Sequence, residues 1–137
     1  VIHEGQLTFE EDGLVLVRDL GAWWGEETGL PLPLGANAVR SDLDELYGAG
    51  STIEIVSLLE RSVRHAMSHR EEAITEALKW ARGLEAERAG AFVDLYVNRW
   101  TLDYGAAGRK AVLELLSRAA RAGLVPDVQI PEFVSGA

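Results

Sequence analysis

Cysteine is absent from this chain, which excludes disulfides, thiolate metal centres and cysteine nucleophiles and fits a reducing compartment. Basic residues are scarce too: 13 Lys and Arg stand against 22 Asp and Glu, for a formal charge of −9. The few cations are scattered, so no basic stripe exists to displace counterions from a phosphate backbone, and nucleic acid is not an expected partner. No apolar run approaches the roughly 20 residues that span a bilayer, so no membrane partner is expected either. An initiator methionine is also lacking: the sequence opens at Val1 inside an apolar run, as a cut start would, and the lack of a signal peptide therefore carries little weight. What is present is a 137-residue chain, 47% hydrophobic with four prolines, enough to bury a real core as one globular domain.

The first nine residues are the chemical centre of the sequence. His3 is the only one of three histidines outside a probable helix, and it stands among Glu4, Gly5 and Gln6 with Ile2 and Leu7 on either side. A glycine lets the backbone turn while the apolar neighbours anchor both flanks, the pattern of a strand end or tight loop that delivers polar groups into a cleft. Imidazole, with an unperturbed pKa of about 6.5, is the side chain best matched to proton abstraction near neutral pH. The plainer reading is a hydrogen-bonded histidine that ends a strand. In a strand Glu4 and Gln6 share one face, opposite His3 and Gly5. Gln6 can bond substrate hydroxyls or merely a backbone amide, and Glu4 can hold a neighbouring loop, orient His3 through the backbone, or simply be a satisfied acid beside a hinge.

Residues 6–9 and 14–17 are β-rich runs separated by Glu10-Glu11-Asp12-Gly13, and the Asp-Gly pair predicts a hairpin turn between them. Asp19 is placed to cap a helix over residues 21–28 that carries Trp23 and Trp24 and stops at Gly29. The segment Leu30-Pro31-Leu32-Pro33-Leu34-Gly35 cannot be helical, because each proline removes a donor and pushes its predecessor into an extended conformation; it is the best hinge candidate. Beyond it, apart from a short strand at residues 36–40, the pattern is helical. Ser51-Thr52-Ile53-Glu54 has capping-box spacing, and Ile55, Leu58, Leu59, Ser62, Val63 and Ala66 form one stripe of the helix that follows. Further helices are expected at residues 70–82, 92–97 and 108–122, the last ending at Gly123 ahead of Pro126, with the tail from residue 127 laid along the surface.

Asn37 and Arg40 follow the hinge, where Arg40 can meet a substrate carboxylate or simply pair with Asp42. Asn98, Thr101 and Asp103 suit a helix-linking cap network. His65 and His69 lie four residues apart on one helical face without a third ligand in view, so no metal site is expected. The tryptophans suit core packing, with stacking on an aromatic substrate a minor alternative for Trp23 or Trp24. Gly105-Ala106-Ala107-Gly108 lacks the lysine of a phosphate-binding loop.

A hairpin and one helix followed by a hinge and a helical array leave strands without a sheet to join. That order is expected of part of a longer protein in which the chain crosses between two lobes. Four stretches carry a resemblance to a known family: His3-Glu4-Gly5-Gln6-Leu7-Thr8, Asp19-Leu20-Gly21-Ala22-Trp23-Trp24, residues 29–37 from Gly29 to Asn37, and residues 96–105 from Tyr96 to Gly105. In this order they closely resemble the 1,4-dihydroxy-6-naphthoate synthases of the futalosine route to menaquinone. The resemblance implies an α/β, two-lobed, periplasmic-binding-protein-like (type II) fold, of which this chain is the C-terminal half, mostly helical after its hairpin. Residues 1–34 would end the second lobe and residues 35–137 return into the first. It further implies a cytoplasmic lyase that needs no cofactor and converts cyclic dehypoxanthinylfutalosine to 1,4-dihydroxy-6-naphthoate, with the family's proposed catalytic base falling on His3. Gln6, Asn37 and Arg40 are the candidate substrate contacts. The N-terminal half of such a fold is missing here and would come from another chain or from a swapped homo-oligomer. Two alternatives share the architecture: a non-catalytic module binding a small carboxylate, and the sister enzyme that dehydrates chorismate.

Overall fold

The computed structural model describes residues 1, 5–79, 90–91, 93–94, 96–126 and 131–136. Seven helices occur among them: α1 (Gly5–Thr8), α2 (Leu20–Thr28), α3 (Leu43–Tyr47), α4 (Ser51–Ser68), α5 (Arg70–Leu78), α6 (Arg99–Leu102) and α7 (Gly105–Arg121). Residues 90, 91, 93, 94 and 96 are helical as well. The chain divides into two compact units, Val1–Arg18 with Arg61–Leu102 and Asp19–Glu60 with Asp103–Ala137.

The expected hairpin does not form, and no strand occurs among the described residues. Gln6, Leu7 and Thr8 belong to α1, and the chain keeps turning after it, with the Phe9 amide donating to the Gly5 carbonyl at 3.0 Å. Gly13, at φ +71°, donates to Glu10, and Leu14 donates to Phe9, each at 3.0 Å. This pair of bonds is a Schellman closure, in which a left-handed residue satisfies the last free carbonyls of a helical turn. The Asp12-Gly13 pair therefore stops a helical turn. An isolated two-stranded ribbon is marginal in water, whereas these bonds close within a few residues and need no partner. The short strand expected at residues 36–40 is likewise irregular backbone.

In the first unit, Arg70 at the start of α5 reaches Asp94 through Nε at 3.1 Å and Nη2 at 2.7 Å, and Nη2 also donates to the Gly90 carbonyl at 3.2 Å. Ala73, Ile74 and Leu78 of α5 are half-buried. The expected helix over 70–82 holds through Leu78; residues 80–82, like Phe92 and Leu95 of the next expected helix, lie outside the described residues.

The second unit holds the buried apolar side chains Trp24, Leu43 and Ala111. Asp19 caps α2 as expected, its Oδ1 accepting from the Ala22 amide at 2.8 Å, and Gly29 closes that helix at φ +67°. The Trp24 indole donates to the Pro31 carbonyl at 3.1 Å, which folds the proline-bearing segment back on α2. Over the same ring, the Arg118 guanidinium of α7 lies 5.2 Å from the centroid, while Trp23 meets it edge-on at 6.5 Å. The tail at residues 131–136 lies on α7: Phe133 stands edge-on to Tyr104 at 6.0 Å, and Arg109 donates to Ser135 at 3.2 Å.

Two expectations about α4 need correction. Its start is not capped by Ser51, whose hydroxyl donates to the Gly48 carbonyl at 2.8 Å. The acceptor is Asp44 of α3, taking the Thr52 amide at 2.8 Å and the Gly50 amide at 3.2 Å. A carboxylate has two acceptor oxygens and complements the positive end of the helix, so it caps better than a hydroxyl already committed elsewhere. Nor is the whole expected stripe covered: Val63 and Ala66 are half-buried, but Ile55, Leu58, Leu59 and Ser62 are exposed.

Candidate functional site

Of the expected site residues, His3 and its neighbour Glu4 lie outside the described residues. Gln6 is exposed on α1, where its Nε2 donates to the Tyr96 hydroxyl at 3.2 Å. Gln6 sits in a helical turn, where successive side chains fan out by about 100° and do not alternate as in a strand; its expected partner on a strand face, Glu4, lies outside the described residues. Gln6 belongs to the first unit, and Asn37 and Arg40 to the second.

Asn37 and Arg40 share the irregular stretch at residues 31–40, and both are exposed. The prolines explain the backbone: Pro31 and Pro33 hold it open, and the bond from Trp24 to the Pro31 carbonyl fixes where it starts. Arg40 clasps Asp42 with two parallel bonds, Nε to Oδ1 at 2.8 Å and Nη2 to Oδ2 at 2.7 Å. The clasp holds the Asp42 carboxyl below its ordinary range and pushes the Arg40 guanidinium above its own. A guanidinium has five N–H donors in a planar fork, so Asp42 leaves the Nη1 end of Arg40 able to meet a second carboxylate while fixing the plane of the fork.

The stretch around residues 96–105 is a joint between helices, as its polar residues suggested. The Asn98 Oδ1 accepts from the Trp100 amide at 3.0 Å, and the Thr101 hydroxyl accepts from the Asn98 amide while donating to the Tyr96 carbonyl, both at 3.1 Å. Asp103 then receives the Gly105 amide at 2.9 Å as α7 begins. His65 and His69 stack with ring centroids 4.1 Å apart, and among the described residues no three His, Asp or Glu side chains converge on a metal position. Two participants escaped the sequence reading. Tyr96, inside the expected helix 92–97 and at the start of the family-like stretch 96–105, carries a hydroxyl that was the available signal for its bond to Gln6. Asp44 is eight residues from the amide it caps, beyond the reach of local motif rules.

The sequence profile of the family described as menaquinone biosynthesis matches residues 1–121. The chain belongs to the menaquinone-biosynthesis family. A Thermus thermophilus member named 1,4-dihydroxy-6-naphthoate synthase is 43% identical over 134 residues, covering 98% of this chain and 48% of the relative. The Streptomyces coelicolor protein of the same name is 37% identical over 126 residues, covering 92% of this chain and 43% of its own length. Among solved structures, a crystal structure of an Archaeoglobus fulgidus protein superposes with a TM-score of 0.78 at 38% identity, covering 91% of this chain and 46% of that one. The chain thus spans about half the length of the family members it matches. No helix among the described residues is long and apolar enough to cross a membrane.

Proposed function

We propose that this chain is the C-terminal half of a cytoplasmic lyase that converts cyclic dehypoxanthinylfutalosine to 1,4-dihydroxy-6-naphthoate without a cofactor. The observation that carries this reading is 43% identity across 98% of the chain to a relative bearing the synthase name. In this reading the whole enzyme is a two-lobed, periplasmic-binding-protein-like fold. Residues 1–34 end one lobe and residues 35–137 return into the other, and the first half comes from a covalently joined segment, another chain or a swapped copy.

His3 is the general base, since releasing the sugar-derived part and aromatising the ring requires a proton to leave carbon or hydroxyl near neutral pH. Gln6 offers an amide to substrate hydroxyls by exchanging its bond to Tyr96. Asn37 and the Nη1 end of Arg40 offer donors to a carboxylate, with Asp42 as the positioning residue. In a protein of the relatives' full length containing this chain, His3→Asn should abolish turnover of the cyclic substrate, followed as naphthoate formation, while the circular dichroism spectrum stays unchanged. Near-normal turnover would refute the assignment.

A further inference from the structure

His65 and His69 are the last two histidines of the chain, both exposed, one turn apart where α4 gives way to α5. Residues four apart on a helix stand on one face, and the two rings stack with centroids 4.1 Å apart and planes 25° apart. The proton on the His69 ring can be placed. Its Nδ1 lies 3.0 Å from the His65 carbonyl oxygen, which only accepts, so Nδ1 carries the proton. The Ser68 hydroxyl, 3.0 Å from the same nitrogen, accepts a share of that N–H and donates its own hydrogen to the His65 carbonyl at 2.9 Å. One arrangement of hydrogens satisfies all three contacts, and in the neutral ring it leaves Nε2 of His69 as an unprotonated lone pair. Among the described residues no hydrogen bond reaches that Nε2 or either ring nitrogen of His65.

We infer that His65 and His69 chelate one divalent transition cation of the imidazole-binding class, Cu²⁺ ahead of Ni²⁺ or Zn²⁺. A ring whose Nδ1–H is held by a backbone carbonyl is the arrangement that orients a metal-ligating histidine, because it fixes both the tautomer and the plane of the ring. Metal-to-imidazole bonds of about 2.0–2.1 Å put two ligand nitrogens on one ion roughly 3 Å apart, and rings stacked at 4.1 Å already stand on that scale. The pair also sits at the C-terminal end of an 18-residue helix, whose carbonyl ends favour a cation. A net charge of −9 draws cations toward the chain as a whole. No third His, Asp or Glu joins the pair among the described residues, so solvent fills the remaining positions, which suits Cu²⁺ better than the closed four-ligand set of a structural zinc. The missing third ligand, which argued against a metal in the sequence, narrows the choice of metal instead.

The inference is independent of the proposed activity, and its test reads no turnover. Calorimetric titration with CuCl2 is made on the His3→Asn chain, in which His65 and His69 are the only histidines, with MgCl2 as the hard-cation control. One Cu²⁺ should bind per chain, and Mg²⁺ should not displace it. Adding His65→Ala or His69→Ala should weaken binding about a hundred-fold, because a second ligand on a rigid frame acts at high effective concentration. A twofold loss, which two independent imidazoles would give, overturns the inference. The decisive variant exchanges neighbours, Arg64→His together with His65→Arg, at positions that are both exposed. It keeps two histidines and the same composition but sets them five residues apart, about 140° around the helix, and should bind no better than the single-histidine variants. Parent-like affinity in that variant overturns the inference, as does displacement by Mg²⁺ or the lack of one-to-one binding in the His3→Asn chain.

Discussion

Among the described residues, the buried apolar side chains Trp24, Leu43 and Ala111 all belong to the unit of Asp19–Glu60 with Asp103–Ala137, whereas the side-chain hydrogen bonds seen in the unit of Val1–Arg18 with Arg61–Leu102 join mostly exposed or half-buried groups. In the second unit one indole collects a hydrogen bond, an edge-on ring and a guanidinium. In the first, Arg70 clasps Asp94 and Gly90, Gln6 bonds Tyr96, and Asn98 with Thr101 builds a cap. Buried apolar contact is worth several times an exposed ion pair, because water competes for the second and not for the first. Among the described residues, then, one unit shows a buried aromatic anchor, while the contacts described in the other are polar and open to water.

The sharpest way to break that contrast is Trp24→Ala, which removes the anchor and the indole donor together. It should cost about 3–5 kcal/mol in urea denaturation, the range for deleting a buried aromatic. Its counterpart in the first unit is Arg70→Met, which keeps the aliphatic stem and removes the clasp. With both partners exposed, the expected loss is about 0.5 kcal/mol in the same assay, and a loss matching that of Trp24→Ala would erase the distinction. The smallest effect concerns pH. Hydrogen bonding from the Thr52 side chain first, then from the Thr52 and Gly50 amides, holds the Asp44 carboxyl below its ordinary range. Its stabilisation is therefore complete above the unfolded carboxylate pKa of about 3.9 and is lost as pH falls through the lowered folded value. In melting curves from neutral to strongly acidic pH, Asp44→Asn should differ from the parent at neutral pH, and the gap should narrow in acid. A gap constant across that range would rule out the cap.

Legibility in the sequence followed the reach of each interaction. Asp19, Gly29 and Gly123 were readable as helix boundaries because a cap bonds a backbone group within a few residues, and Leu124 and Gly123 close α7 onto Ala119 and Ala120 in that way. The network of Asn98, Thr101 and Asp103 was readable for the same reason. Asp12-Gly13 failed because a left-handed glycine serves a hairpin and a Schellman closure equally well, and only a partner strand distinguishes them. Ile55, Leu58 and Leu59 were correctly placed on one helical face, yet periodicity names a face without saying what covers it. Of the site residues, the pairing of Arg40 with Asp42 was anticipated from their nearness, whereas the bond from Gln6 to Tyr96 spans 90 positions and no local pattern carries it.

By itself, then, the sequence determined the helices that became α2, α4 and α7, the boundaries at Asp19, Gly29 and Gly123, the non-helical proline-bearing stretch and the family, since these depend on side chains a few positions apart or on motifs in fixed order. The tertiary structure decided which apolar faces are covered and which polar groups meet. It seated Trp24 under Arg118, gave the cap of α4 to Asp44, and left Leu14, Val15, Leu16 and Val17 exposed. The physical reason is that hydrogen-bonded helical turns close locally, whereas burial and strand pairing require a second surface, which no single stretch of chain supplies for itself.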